Sequence, residues 1–182
     1  MMNIAVISCA HYAWLESSRE MGVHLAGAIG NGTESHVHVP IDREGLRASL
    51  ADADFAIVHT HGSREGFFDQ RADGKSTVIA TLSDVLALPE CPKLKLVLIT
   101  ACETARGGDD NIAAALSTRI AKNGLVLANR YVVYGASYDF GDRDGRHGWV
   151  GYRNGKPVLT EDALPAVITM RDAYTAYLNC LS

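Results

Sequence analysis

The chain has 182 residues and a formal net charge of −4 with histidine neutral, long enough for one domain with a well-buried core and without a composition break that would divide it. No lysine- or arginine-rich run offers an electrostatic footprint for nucleic acid or an anionic membrane, so neither partner is expected. The start of the chain has no basic segment ahead of its short apolar stretch, and no run approaches the roughly 20 residues of a membrane helix, so a cytoplasmic location is expected.

Residues 4–8 are apolar and read as a strand buried on both faces. A helix follows in which Trp14, Met21, Leu25 and Ile29 share much of one face, with Gly30 at its C-cap and Asn31-Gly32 turning the chain. Asn31-Gly32-Thr33 also matches a glycosylation sequon, which is taken as an ordinary turn in the absence of a secretory signal. Residues 35–39 alternate, with Val37 and Val39 opposite His36 and His38, and Pro40 stops that strand. Asp42 is expected to cap a helix carrying Leu46, Leu50 and Ala53.

Residues 55–60 form the next strand, and the strand, helix, strand, helix, strand order implies an α/β fold with a mainly parallel sheet and right-handed crossovers. Between Gly62 and Lys75 the sequence turns polar and reads as a surface loop. A small strand at residues 77–80 and a short helix from Ser83 to Leu88 lead to the apolar strand ending at Thr100. A helix with Ile112, Ala115, Leu116 and Ile120 on one face is expected to be capped by Asp109 or Asp110 and closed by Lys122 and Gly124. Residues 125–128 form a further strand, which residues 131–134 extend or follow with another. Residues 137–148 read as a loop. Asn154-Gly155 turns a β-hairpin, and Thr160 is expected to cap a last helix that includes Leu164, Val167, Ile168, Tyr174 and Leu178.

Two strands end in reactive side chains: Ile57-Val58-His59-Thr60-His61-Gly62 and Leu98-Ile99-Thr100-Ala101-Cys102. In an open α/β sheet ligands collect outside the carboxyl ends of the strands, so His61 and Cys102 are placed to share a site. A thiol acyl-transfer enzyme needs a nucleophile, a proton carrier and oxyanion donors. Cys102 would attack, His61 would move the proton, and the backbone N–H groups of Gly62 and Cys102 would hold the oxyanion. Cys9, Cys91 and Cys180 have no such partner and read as structural thiols, with no C-x-x-C pair to suggest zinc or a disulfide framework.

This arrangement resembles the caspase-like cysteine peptidases, a group that includes caspases, clostripain, gingipains and separase, and is most similar in motif to bacterial CHAT domains. The resemblance covers roughly residues 4–136. It implies one caspase-like domain over residues 1–182, a three-layer α/β/α sandwich, a His61–Cys102 dyad, a protein or peptide substrate and no cofactor or metal. The caspase signature around the cysteine is absent, since Thr100 precedes Ala101 and Glu103 follows Cys102, so aspartate specificity is not implied. Asp139, Asp142 and Asp144 fall where such folds build a substrate pocket and would favour a basic residue there, whereas Arg64, Arg143 and Arg146 would make the same pocket basic. Exposed strand edges would permit a homodimer.

Four rival readings stand against this one. His59 and His61 form the H-x-H of metal-dependent amidohydrolases, but that barrel needs about 250 residues; in the peptidase reading His59 supports the face of the dyad or packs beneath it. The phosphatase loop requires arginine where Gly108 stands, and the Gly-x-Ser-x-Gly elbow is broken by Asp139. A catalytically silent caspase-like scaffold or binding module is the alternative from another class.

Overall fold

The computed structural model describes residues 1–30, 32–70, 73–135 and 138–182. Strand β1 (Met2–Ser8) buries Ile4, Val6 and Ile7 completely. Helix α1 (Tyr12–Ile29) is capped by the His11 ring, which accepts the Ala13 N–H at 3.3 Å, and ends at Gly30, whose φ of 114° an L side chain rarely adopts. Asn31, in the expected turn, lies outside the described residues. Strand β2 (Thr33–His38) precedes helix α2 (Arg43–Leu50), where Asp42 accepts the Gly45 N–H at 2.8 Å as the expected cap. Strand β3 (Phe55–His59) follows.

The stretch expected as a loop after Gly62 is instead an antiparallel sheet of β4 (His61–Ser63), β5 (Gly66–Gln70) and β6 (Ser76–Thr81). Phe67 and Asp69, two apart on β5, both turn inward, a period of two that the surrounding charges and glycines hide. Arg71 and Ala72 of that stretch lie outside the described residues. Helix α3 (Leu82–Leu86) is capped by Thr81 rather than Ser83, because Asp84 returns the bond to the Thr81 N–H and closes a capping box. Strand β7 (Leu96–Ile99) comes next.

Helix α4 (Ile112–Ser117) is capped by Asn111, not by Asp109 or Asp110, and ends before Ile120 and Lys122. An amide serves here where a carboxylate could not. Its Oδ1 accepts the Ala114 N–H at 2.9 Å while its Nδ2 donates to Gly108 O and to the Tyr152 hydroxyl, at 2.7 and 3.1 Å. Strands β8 (Leu125–Asn129), β9 (Val133–Gly135) and β10 (Asp139–Asp142) follow. The expected loop of residues 137–148 therefore contains a strand; Ala136 and Ser137 lie outside the described residues.

The hairpin of β11 (Trp149–Arg153) and β12 (Lys156–Leu159) has the expected turn, with Asn154 and Gly155 at φ 49° and 77°. Thr160 opens only a 3-10 turn, Glu161–Ala163. Pro165 interrupts the expected long helix, and β13 (Val167–Thr169) pairs with β10. The last helix, α5 (Met170–Asn179), starts at Thr169, where Asp172 supplies the reciprocal half of a capping box.

The fold is mixed α/β. One seven-stranded sheet has the order β12-β11-β8-β7-β3-β1-β2, with β8, β7, β3, β1 and β2 parallel and the β11–β12 hairpin antiparallel at one end. The apolar strands are fully covered because alternate residues feed two separate cores. Ala5, Ile7, Ala56, Val58, Val97 and Ile99 pack with α2, α3 and α4, whereas Ile4, Val6, Ile57, Leu96 and Leu98 pack with α1 and α5. Two three-stranded sheets, β4-β5-β6 and β13-β10-β9, are appended. No helix among the described residues is long and apolar enough to cross a membrane.

Asn111 joins the start of α4 to the turn ahead of it and to β11, so its truncation has a defined cost. Asn111→Ala is expected to lower stability by about 2–4 kcal/mol, the lost cap plus the buried groups left unpaired, read as a lower urea midpoint at unchanged slope.

Candidate active site

The β3–β7 pairing continues one residue past β7 through the Thr100 N–H, which donates to Val58 O at 3.0 Å, so the carboxyl ends of the two strands leave the sheet side by side. The chain then turns at Glu103, a non-glycine residue held at a left-handed φ of 54°, and the Glu103 N–H donates to Tyr131 O at 3.0 Å. This turn brings half-buried Cys102 against β9, where its thiol donates to Val133 O at 3.9 Å.

The histidine arrives by a different route. After β3, Thr60 donates its hydroxyl to His61 O at 3.0 Å and the chain enters β4. Gly62 then lies directly on the cysteine turn. A Cβ at Gly62 would stand 2.7 Å from the Ala101 Cβ, 2.9 Å from Thr104 Cγ2 and 3.2 Å from Cys102 O. Only glycine permits this approach. The His61 and Cys102 segments are thereby packed together, while the resting thiol bonds to Val133 rather than to the imidazole.

One aromatic ring bridges the two histidines. Trp14, in the first turn of α1, has its ring 4.5 Å from that of His59 and 4.7 Å from that of His61. His59 Nδ1 also meets Thr100 Oγ1 at 2.9 Å. Burial, with the neighbouring His61 second, pushes the His59 ring down to about 4, so it is neutral at pH 7. Burial pushes the Cys102 thiol up; backbone hydrogen bonding at Val133 and at Cys102 itself opposes the rise, and Glu103 adds to it. Cys102 thus rests as a thiol rather than a thiolate.

Trp14, His59, Thr100, Cys102, Val133 and Phe140 are among the residues lining a cleft of about 280 Å³. Sequence reasoning assigned Trp14 and Thr100 only to a helix face and a strand end. The available signal was position, since both follow the carboxyl ends of the parallel strands, β1 and β7, that flank β3. Val133 and Phe140 carried no such signal, because their small sheet is not legible from local pattern.

The expected acidic pocket is not assembled at this cleft. Asp142 is buried and takes a two-pronged bond from Arg146, Nε and Nη2 both at 2.8 Å, plus the Asp144 and Arg146 N–H groups. The Arg146 guanidinium is the main reason its carboxyl is held down to about 2. Asp139 and Asp144 are exposed. A basic pocket fares no better: Arg64 faces Glu65 at 3.6 Å, and Arg143 sits 5.8 Å from the Tyr134 ring centre. A larger cleft, about 530 Å³, is walled by Arg106, Arg130 and Arg146, but each faces a carboxylate, from Glu103, Glu161 and Asp142. Among the described residues no group of three His, Cys, Asp or Glu could hold a metal ion. Cys9 and Cys91 are buried.

Two outcomes follow from these contacts. The unfolded chain binds a proton at His59 near pH 6.5, whereas the folded chain does so only near 4, so acidification across that window favours unfolding. Between pH 7 and 5 the wild type is expected to lose about 2 kcal/mol more stability than His59→Gln, measured by urea unfolding at both pH values. Gly62→Ala is expected to cost roughly 1–3 kcal/mol through overpacking and to slow any reaction at Cys102, checked by denaturation and by thiol labelling. Neither a protein-family model nor a curated protein matches this chain, so the geometry of the site itself carries the functional argument.

Proposed function

We propose that this chain is a cysteine peptidase of caspase-like, CHAT-type architecture, a three-layer α/β/α sandwich in which Cys102 is the nucleophile and His61 the proton carrier. The observation that carries the reading is the seating of Gly62 on the Ala101–Cys102 turn, which packs the His-Gly and Ala-Cys motifs together at the carboxyl ends of adjacent parallel strands. Such ends are where open α/β sheets build their sites.

The chemistry begins from a protonated thiol. On substrate entry the thiol turns from Val133 O towards His61, a rearrangement in keeping with the loose geometry of many unliganded sites. His61 takes the proton, the sulfur attacks the peptide carbonyl carbon, and the oxyanion is held by the N–H groups of Gly62 and Cys102. His61 returns the proton to the amine as the C–N bond breaks, leaving a thioester. Water, deprotonated by His61, then hydrolyses the thioester and restores the thiol. No resident metal is needed for any step, and four free thiols fit a reducing, cytoplasmic setting.

A second reading is favoured by the same thiol. Its bond to Val133 and its raised pKa suit a silent scaffold that has kept the motifs as packing. Peptide release from a mixed peptide library, followed by mass spectrometry, separates the two. The peptidase reading expects release by the wild type, none by Cys102→Ala, and about 10²–10⁴-fold slower release by His61→Ala. Release undiminished in Cys102→Ala removes this residue from the mechanism, and no release by the wild type leaves the scaffold.

A further inference from the structure

The cleft beside Cys102 contrasts with the charged surface around it. Its walls are Trp14, Val133, Tyr134 and Phe140, with Ala13 at the rim, and no carboxylate, lysine or arginine lines it. Of its polar groups, Thr60 donates to His61 O at 3.0 Å, and Thr100 Oγ1 meets His59 Nδ1 at 2.9 Å and Val58 O at 3.4 Å. Nearby, Asp142 is paired with Arg146, and Arg143 lies over the Tyr134 ring, 5.8 Å from its centre. An ionised group entering this space would give up its hydration without meeting a counter-charge in the lining.

From this we infer that the cleft receives an uncharged, apolar side chain of about the size of leucine, methionine or phenylalanine. It is carried by the residue whose carbonyl Cys102 attacks, so the inference rests on the peptidase reading. Three observations converge on it. The cleft shares Cys102 with the candidate nucleophile, so whatever fills it stands next to the sulfur. Its volume, about 280 Å³, falls just below the range of clefts for whole small-molecule ligands and suits one large side chain. Half-buried Trp14 and exposed Tyr134 offer flat aromatic faces that gain contact from such a chain. His59 adds to the same character, being neutral at pH 7. The substrate class is therefore a peptide cut after a bulky apolar residue, not after an acidic or basic one.

The test uses four N-acetyl tripeptidyl chloromethyl ketones that differ only in their last side chain, Leu, Phe, Asp or Lys. In each the Cys102 sulfur displaces chloride, forming a thioether as the thiol proton is lost, and the rate is read by mass spectrometry of the Cys102 peptide. The Leu and Phe probes are expected to label at least about 30-fold faster than the Asp and Lys probes. Ala13→Asp places a carboxylate on the exposed rim, in the first turn of α1 where an acid is tolerated. It is expected to raise the Lys rate relative to Leu by about tenfold or more. Equal rates, faster labelling by the charged probes, or no labelling by any probe while iodoacetamide still reaches Cys102 overturn the assignment. Apolar preference in labelling without peptide hydrolysis keeps the cleft assignment and removes the peptidase reading; hydrolysis without that preference does the reverse.

Discussion

The site depends on a missing atom. At Gly62 the chain has no Cβ, and the space where one would stand is already taken by the Ala101 Cβ, Thr104 Cγ2 and Cys102 O. Because β4 can lie this close, the segment bearing His61 rests on the turn that bears Cys102, and the two strand ends act as one surface. Any side chain at this position would have to push the turn or the strand away by a good fraction of an ångström. The same contact gives the small sheet β4-β5-β6 its seat on the large one, which explains why residues that look like a polar loop are drawn into regular pairing.

Beneath this contact is a sheet with apolar cover on both faces. Strands β1, β3, β7 and β8 need it, since hydrophobic residues face both sides of each, and the two cores show where that cover comes from. The rigidity this provides matters at the strand ends, where Thr100, His59 and Trp14 form a connected group above the core. His59 is neutral there because charge would have to be buried against an indole, a hydroxyl and a second imidazole. At pH 7 it packs against Trp14 and bonds Thr100 as a neutral ring. The site thus separates two adjacent histidines into a buried packing ring and a ring on the strand that passes over the cysteine.

Charge around the site is arranged in closed pairs. Arg146 with Asp142, Arg106 with Glu103 and Arg130 with Glu161 leave the larger cleft internally compensated, while the smaller cleft at Cys102 has no ionised lining at all. Counting acids or bases in the sequence therefore does not give the charge of a cleft, because pairing cancels many of them. What lies beside the Cys102 sulfur is a lining of aromatic, aliphatic and uncharged polar side chains.

The strands at residues 4–8, 55–60 and 96–100, the Asp42 cap, the Asn154-Gly155 hairpin and the juxtaposition of the His61 and Cys102 motifs were all legible from local pattern, because hydrophobic period and turn chemistry are set by a few neighbouring residues. Caps were legible only where one candidate stood alone. Asn111 displaced Asp109 and Asp110 because Tyr152 and Gly108, distant in sequence or across a turn, needed a donor, and Thr169 displaced Thr160 because β13 paired with β10. The inward turn of Phe67 and Asp69, the engagement of Asp142 by Arg146 and the lining of the cleft by Trp14, Val133 and Phe140 were decided by tertiary structure alone. Each depends on which side chains the sheet order brings within a few ångströms, and contacts of that kind leave no periodic trace in the chain. The sequence by itself determined which strands and motifs exist and what chemistry they can carry; packing decided which charges cancel and what shape of side chain can reach the sulfur.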